Sequence, residues 1–193
     1  MHRFRRSDAP LYYWKPIQTG IEQDDDTSEV RRLGACGPEE TVEAGVRLRR
    51  PVSPHLAARL SGQTIDLAKL VETVAGSGRW IVEGAGGALV PVNDSELMVD
   101  LMLALRLPVL IVSRSGLGTI NHTLLTLEAL RSRSLEAAGV IMIGTPDAEN
   151  RAAIETYGHV PVVGELPPLD PLTPEALGIW AVANLDRENH LAL

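Results

Sequence analysis

The 193-residue sequence predicts an α/β fold built on a parallel sheet. Several short apolar runs have the length of strands and lack the polar alternation of a sheet with one solvated face. Helical patterns lie between many of these runs, and buried strands that alternate with helices indicate parallel β-α-β units. Ligand sites of such sheets collect in the loops at the carboxyl ends of the strands. The predicted strands cover residues 11–14, 80–82, 109–112, 140–143 and 160–163.

Apolar spacings of three and four residues predict the main helices. They fall at residues 65–74, 97–105 and 119–130, and the third carries Ile120, Leu124, Leu127 and Leu130 on one face. Ser53-Pro54-His55 is typical of a helix start, and Thr173 before Pro174 predicts a capped helix over the last twenty residues. No internal repeat or clear linker interrupts this order, so we expect a single domain over residues 1–193.

Composition excludes several classes of protein. A net charge of −7 argues against broad binding to nucleic acids or anionic membranes, since both require a positive surface. Cys36 is the single cysteine, so no internal disulfide forms, and no Cys/His cluster has the spacing of zinc ligands. No stretch has the length and composition of a transmembrane segment. We therefore expect a soluble cytoplasmic protein.

The most informative segment is the acid Glu83 with the glycine-rich run behind it, E-G-A-G-G at residues 83–87. A carboxylate at the carboxyl end of a strand, beside bare backbone, is typical of sites that hold metal-bound phosphates in α/β proteins. Glycines after a strand also form ordinary tight turns, so this segment alone leaves both interpretations open.

The loop after the first predicted strand reads K-P-I-Q-T-G at residues 15–20. Lys15 is one of only two lysines beside sixteen arginines, the other being Lys69. Its ammonium could lie against phosphate or carbamate oxygens as a point charge, and Thr19 supplies a hydroxyl. The alternative is a solvated lysine before a turn.

The acidic run of Glu22, Asp24, Asp25 and Asp26 follows directly. Magnesium in proteins often takes one or two carboxylates together with phosphate and water, so one acid here could join Glu83 around a metal ion. Asp26 could equally be the N-cap of a helix at residues 28–33.

A third loop follows the strand at residues 109–112 and reads S-R-S-G-L-G-T-I-N-H-T at residues 113–123. The free amides and dipole of the following helix favour an anion, such as a carboxylate or a phosphate. Thr119 or Asn121 could instead be capping residues, and His122 could be a packed histidine.

Together these segments resemble dethiobiotin synthetase, the ATP-dependent enzyme that precedes biotin synthase in the biotin pathway. The resemblance runs from about residue 12 to residue 177 and rests on five motifs in family order. They are K-P-I-Q-T-G at 15–20, S-P-H at 53–55, V-E-G-A-G-G at 82–87, G-L-G-T-I-N-H at 116–122 and G-E-L-P at 164–167. The resemblance implies a three-layer, mostly parallel sheet of the P-loop NTPase type.

The resemblance also implies roles for individual residues. Lys15 would be the active-site lysine, and Thr19 would contact the substrate. Asp26 and Glu83 would bind Mg²⁺. The backbone around ATP would include Glu83, Gly84, Ala85, Gly86, Gly144, Leu166, Pro167 and Pro168. The loop of Leu117, Gly118, Thr119, Ile120 and Asn121 would bind the substrate carboxylate across a dimer interface, which implies a homodimer.

The implied reaction uses 7,8-diaminononanoate, CO₂ and MgATP and yields dethiobiotin, ADP and phosphate. One amine of the substrate forms a carbamate, which attacks the γ-phosphate, and the second amine closes the cyclic urea as phosphate leaves.

Two departures from the family pattern bear on activity. Neither Lys15 nor Lys69 follows a glycine, so the 193 residues contain no P-loop motif G-x-x-x-x-G-K-[ST]. The family's first strand is also missing, and we expect that the recorded start lies downstream of the real one and that this form is impaired. The second departure is Ile143-Gly144, where the family commonly has an asparagine that reads adenine.

Two other interpretations remain at this stage. A non-catalytic remnant of the fold could act as a binding or dimerisation partner, and it would not turn over even with a family-like N-terminus restored. A P-loop-family regulator related to partition ATPases would fit the fold, but it does not account for the motifs at residues 15–20 and 116–122.

Overall fold

A computed structural model describes residues 1–5, 8–74 and 78–191 of the chain. These residues fall into two compact units, one from Arg3 to Arg106 and one from Leu107 to Leu193. Parallel strands and helices alternate in both, so the predicted α/β class is confirmed.

Five strands form two parallel sheets in the first unit. β1 (Leu11–Trp14) lies between β3 (Thr41–Val42) and β5 (Arg79–Val82). β2 (Ile17–Thr19) pairs with β4 (Val46–Leu48). The register pairs Tyr13 with Ile81 and Trp14 with Val82, so the residues that follow β1 and β5 emerge side by side. The carboxyl ends of these two strands thus supply the loops in which the sequence places Lys15 and Glu83.

Helices connect the strands of the first unit and depart in small ways from the predicted bounds. They are α1 (Asp26–Leu33), α2 (Pro54–Leu60), α3 (Leu67–Val71) and α4 (Met98–Leu105). The helix predicted at residues 65–74 is shorter, because the Asp66 side chain caps it by accepting from the Lys69 N–H and a 3₁₀ turn replaces its last residues. The helix start predicted at Ser53 is confirmed.

The second unit contains a three-stranded parallel sheet in the order β6 (Val109–Arg114), β7 (Ala137–Ile143), β8 (Val162–Leu166). Its helices are α5 (Thr119–Arg131), α6 (Ala148–Gly158) and α7 (Pro174–Asn184). The Thr173 hydroxyl accepts from the Ala176 N–H, as the cap prediction requires. α7 ends well before residue 193, and the predicted helical residues Ala192 and Leu193 lie outside the described part of the chain.

The prediction that the strands are buried on both faces is wrong for part of the second sheet. Val112 on β6 is 61% exposed, and Ile143 at the end of β7 is 44% exposed. Val112 is on β6 and Ile143 is on the central strand β7, so their exposure depends on how far helices cover that face of the sheet, which the apolar pattern of a strand does not show. Val140 and Met142 on the central strand β7 are fully buried, as predicted.

A hydrophobic core fixes β1 and β5 in the first unit. Trp14 is fully buried and packs edge-on against Trp80 at a ring-centroid distance of 6.5 Å. Met98 and Leu101 from α4 complete the same core, and Met98 lies directly behind Gly84. The core therefore anchors both strands whose ends carry the candidate site.

We expect Leu101→Ala to lower the free energy of unfolding by about 3 kcal/mol, because truncating a buried leucine loses contacts and leaves a cavity. Leu101 is 2% exposed, whereas Leu103 on the same helix is 36% exposed and makes the matched control. Leu103→Ala should cost less than about 1 kcal/mol. Urea unfolding followed by circular dichroism measures both variants, and equal losses would contradict the assignment of this core.

Candidate active site

Lys15 is a buried lysine held by three oxygen acceptors. Its side chain follows β1 and is 7% exposed. The ammonium Nζ lies 2.7 Å from Asp26 Oδ2 and 2.8 Å from Glu83 Oε1, and it donates to the Gly84 carbonyl oxygen at 2.9 Å. A buried charge costs several kcal/mol unless it is paired and hydrogen-bonded. This environment excludes the solvated surface lysine that the sequence left open.

Strand pairing brings Glu83 to Lys15. The Glu83 N–H donates to the Trp14 carbonyl oxygen at 2.9 Å and extends the β1–β5 ladder by one step beyond the strand. Glu83 therefore sits beside Lys15 at the carboxyl end of the sheet. Its side chain remains 44% exposed, so the carboxylate that binds the ammonium is also accessible to solvent.

Asp25, and not Asp26, caps helix α1. Asp25 Oδ1 accepts from the N–H groups of Thr27 and Ser28, and Oδ2 accepts from the Ser28 hydroxyl. These bonds, the Ser28 hydroxyl first, lower the pKa of the Asp25 carboxyl. The capping interpretation of Asp26 is therefore wrong: Asp26 is the first residue of the helix, and its carboxylate is left to bind Lys15.

Tyr13 is a member of this cluster that the sequence analysis did not identify. It is 2% exposed, and its hydroxyl donates to Glu83 Oε2 at 2.7 Å. Burial raises the pKa of the Tyr13 phenol, and the hydrogen bond to Glu83 raises it further, so the hydroxyl stays protonated as a donor. Tyr13 and Lys15 are two residues apart along an extended chain, so their side chains leave on the same face. That alternation was visible in the sequence.

The glycine-rich turn exposes backbone beside the cluster. Gly86 has φ +80°, and both Gly86 and Gly87 are exposed, so bare peptide groups face solvent directly after Glu83. Ala85 is different, because the residue is 8% exposed and belongs to the hydrophobic core. Its role beside ATP stays a prediction.

Thr19 ends β2 and pairs in register with Leu48. Gly20 follows with φ +72°, where a Cβ would lie 3.1 Å from Pro51. The chain therefore turns sharply after Thr19 and leads through the acidic run to α1. Thr19 stays a predicted substrate contact.

The second unit contains the loop predicted to bind a carboxylate. Gly118, with φ +93°, is the N-cap of α5, and no side chain makes a capping bond there, so the capping interpretation of Thr119 and Asn121 is wrong. Leu117 is fully exposed, and His122 is exposed, so His122 is not a packed histidine. The hydroxyl of Thr119 is buried without a hydrogen-bond partner. Ile120 and Asn121 occupy the first turn of the helix.

The structure brings Gly144 and Leu166 together in this same unit. The Gly144 N–H donates to the Leu166 carbonyl oxygen at 2.9 Å, and Gly144 has φ +130°. A Cβ on Gly144 would collide with the hydroxyl of Ser115. Pro167 and Pro168 follow Leu166 directly, beyond the end of β8. The segments predicted to border the nucleotide therefore lie at the carboxyl ends of β7 and β8.

The cluster around Lys15 supplies two carboxylates to a cation. Among the described residues, no group of three or more His, Cys, Asp or Glu side chains is arranged to hold a metal ion. Asp26 and Glu83 nevertheless converge on a single point, which the ammonium of Lys15 marks. Two carboxylates are the usual protein contribution to a magnesium site that is completed by phosphate and water. The donor set therefore fits Mg²⁺ bound together with a nucleotide.

Comparison with known proteins identifies the family. A family profile described as an AAA domain matches residues 4–176. The chain is 45% identical over 166 residues to an ATP-dependent dethiobiotin synthetase of Agrobacterium fabrum, which covers 86% of this chain and 78% of that protein. The chain belongs to the dethiobiotin synthetase family.

Two further relatives with similar identity support the same family assignment. The protein of Brucella ovis is 44% identical over 165 residues, covering 86% of this chain and 77% of its own length. A biotin biosynthesis bifunctional protein of Bordetella avium is 45% identical over 172 residues, which are 88% of this chain but 36% of that protein. The chain thus spans about three quarters of the single-function relatives and about a third of the bifunctional one.

Membership in the dethiobiotin synthetase family supports a role in biotin biosynthesis and dependence on ATP. None of the helices over residues 1–5, 8–74 and 78–191 combines the length and apolar character needed to cross a membrane.

We expect Asp25→Ala to lower the free energy of unfolding by about 1 kcal/mol at pH 7, because α1 loses its N-cap. Since the pKa of Asp25 is lowered in the folded state, its contribution is fully present above the ordinary pKa of an unfolded aspartate, 3.8, and is lost as the pH falls through the folded pKa. The difference from the unsubstituted chain should therefore shrink in acid. Urea unfolding between pH 7 and pH 3 measures it, with Asp24→Ala as the neighbouring control. A loss that is equal for both variants would contradict the assignment of the cap.

Proposed function

We propose that the cluster of Lys15, Asp26 and Glu83 is the phosphoryl-transfer centre of an ATP- and magnesium-dependent dethiobiotin synthase, a cyclo-ligase. The observation that carries the proposal is the single buried ammonium bound by two carboxylates at the carboxyl ends of β1 and β5. The names of the relatives support an ATP-dependent dethiobiotin synthetase, and the paired charges around Lys15 support phosphoryl transfer at this cluster.

The substrates would be 7,8-diaminononanoate, CO₂ and ATP. An amine of diaminononanoate adds to CO₂ and loses a proton to give a carbamate. A carbamate oxygen then attacks the γ-phosphorus of ATP, and ADP leaves. The second amine attacks the carbamoyl carbon, phosphate departs, and the cyclic urea of dethiobiotin closes.

Lys15 would stabilise the negative charge that gathers on the carbamate and the transferring phosphoryl group. Its ammonium is already desolvated and fixed, so it needs little reorganisation as the charge develops. Thr19, on the segment that follows Lys15, would contact the substrate with its hydroxyl.

Asp26 and Glu83 would hold magnesium, which neutralises phosphate charge when bound. The backbone of Gly84, Ala85 and Gly86 would border the ATP phosphates, since a glycine without a side chain lets a ligand approach its peptide groups closely. In the second unit, Gly144, Leu166, Pro167 and Pro168 would lie near adenine. Support for this arrangement is the position of all these segments at the carboxyl ends of parallel strands.

The loop at the start of α5 would bind the substrate carboxylate across a homodimer interface. The contacting residues would be Leu117, Gly118, Thr119, Ile120 and Asn121. The positive end of the α5 dipole supports an anion at this point, and the complete exposure of Leu117 suits a residue that meets a partner subunit. The acidic net charge and the family's biosynthetic role support a cytoplasmic protein without nucleic-acid or membrane partners.

A second candidate is a non-catalytic member of the fold that acts as a binding or dimerisation partner. It predicts no turnover even when a family-like N-terminus is restored, and this separates it from the synthase.

Dethiobiotin formation from diaminononanoate, bicarbonate and MgATP tests the proposal. Two forms should be assayed: this chain, and this chain fused behind the segment of the Agrobacterium fabrum relative that precedes the matched region. In whichever form is active, Lys15→Ala should lower kcat at least about a hundredfold, the usual loss for a charge-stabilising donor.

The matched control is Lys69→Ala, because Lys69 is the other lysine and its side chain is 81% exposed. This variant should keep full activity. Product from neither form would favour the non-catalytic alternative. Product that survives Lys15→Ala would show that the buried lysine is not part of the catalytic centre.

A further inference from the structure

The two oxygens of the Glu83 carboxylate have different partners. Oε1 lies 2.8 Å from Lys15 Nζ, whereas Oε2 accepts the hydrogen bond of the Tyr13 hydroxyl at 2.7 Å. A glutamate whose side chain is 44% exposed would otherwise sample several rotamers in solvent. The hydrogen bond from the Tyr13 hydroxyl fixes the position of Glu83 Oε2.

The pairing of β1 with β5 holds Tyr13 in a fixed position beside Glu83. Tyr13 is 2% exposed and pairs in register with Ile81, two residues before Glu83. Side chains two residues apart on a strand leave on the same face, so Tyr13 and Lys15 both reach Glu83 from β1. The tyrosine ring is fixed by the protein interior, and its hydroxyl reaches the edge of the site.

A purely structural residue at this position would not need a hydroxyl. Phenylalanine would fill nearly the same volume, and the buried hydroxyl of tyrosine must find a partner to offset its desolvation. The partner here is a predicted metal ligand and not a backbone group. The adjacent Tyr12 provides a contrast, because it is less buried and packs its ring against Trp80 at 5.0 Å.

We propose that Tyr13 is a positioning residue that turns Glu83 so that one oxygen, Oε1, faces Lys15 and the magnesium ion of the nucleotide. The inference rests on the proposed function, because it concerns how Glu83 meets the metal. It assigns Glu83 as a ligand through Oε1, because the hydrogen bond from the phenol holds Oε2 against the buried Tyr13.

The first test needs neither metal nor turnover. The chain has two lysines, so labelling with ¹⁵N-lysine gives one ammonium signal from Lys15 and one from the exposed Lys69, which serves as an internal reference. In Tyr13→Phe, Glu83 is no longer held against Lys15. Proton exchange of the Lys15 ammonium should become about tenfold faster, as expected when a hydrogen bond to a charged group is lost.

Tyr12→Phe is the matched control and should leave the Lys15 signal unchanged. A purely structural role for Tyr13 would lower the melting temperature but leave exchange at Lys15 in the folded protein as it was. Unchanged exchange in a folded Tyr13→Phe variant would therefore overturn the proposal.

The second test measures the metal directly. Mn²⁺ binding in the presence of ATP, followed by the electron paramagnetic resonance of free Mn²⁺, should weaken at least about tenfold in Tyr13→Phe, the usual loss when a metal ligand loses its hydrogen-bond partner. In a Glu83→Gln background, Tyr13→Phe should add no further loss. An additional loss of similar size would overturn the proposal, because Tyr13 would then act without Glu83.

The two tests separate failure of this inference from failure of the proposed function. If the unsubstituted chain binds no Mn²⁺ with ATP while exchange at Lys15 responds to Tyr13→Phe, the proposed magnesium site is wrong and the orienting role of Tyr13 stands. In the active form of the enzyme, Tyr13→Phe should raise the magnesium concentration for half-maximal rate while leaving kcat at saturating magnesium nearly unchanged.

Discussion

The burial of one lysine is the constraint on which the candidate site depends. A desolvated ammonium is tolerated only where acceptors are already in place, and Lys15 has the carboxylates of Asp26 and Glu83 and the carbonyl of Gly84. These acceptors come from the start of α1 and from the turn after β5. The need to compensate one charge thus links three separate segments of the first unit.

The hydrophobic core and the cap of α1 position the two carboxylates that bind Lys15. Trp14 anchors β1 in the core, and its register with Val82 sets the level at which Glu83 leaves the sheet. Asp25 caps α1 and so leaves Asp26 at the first helical position with its carboxylate available. The cluster thus holds an ammonium and two carboxylates together at one place, the groups that the proposed phosphoryl transfer requires.

Much of this arrangement could be predicted from the sequence, and the omissions have physical reasons. β1 and the helix from Thr119 have strong apolar patterns and were predicted nearly to the residue. β2, β3 and β4 have two or three residues each, too few for any periodicity to show. The exposure of Val112 depends on whether a helix covers its face of the sheet, and tertiary packing of this kind is not encoded in the local pattern.

The candidate site, like the fold, could be predicted from the sequence only in part. Lys15 and Glu83 stand out in the sequence because each directly follows a predicted strand. Lys15 begins the segment K-P-I-Q-T-G, and Glu83 begins the glycine-rich run E-G-A-G-G. The choice between Asp25 and Asp26 as the cap depends on backbone geometry at a single residue, which composition cannot resolve. Tyr13 reads as an ordinary core aromatic until the partner of its hydroxyl is known, although its two-residue spacing from Lys15 was a usable signal.

The central claim is that Lys15, Asp26 and Glu83 together form the site that receives the magnesium ion and the phosphates of ATP. The most direct measurement is a titration of the ¹⁵N-lysine-labelled chain with MgATP, following the two ammonium signals by nuclear magnetic resonance. The account predicts that the Lys15 signal shifts with saturation while the Lys69 signal stays in place, and that ATP with a chelator for divalent ions has no such effect. A Lys15 signal that MgATP leaves unchanged would contradict it.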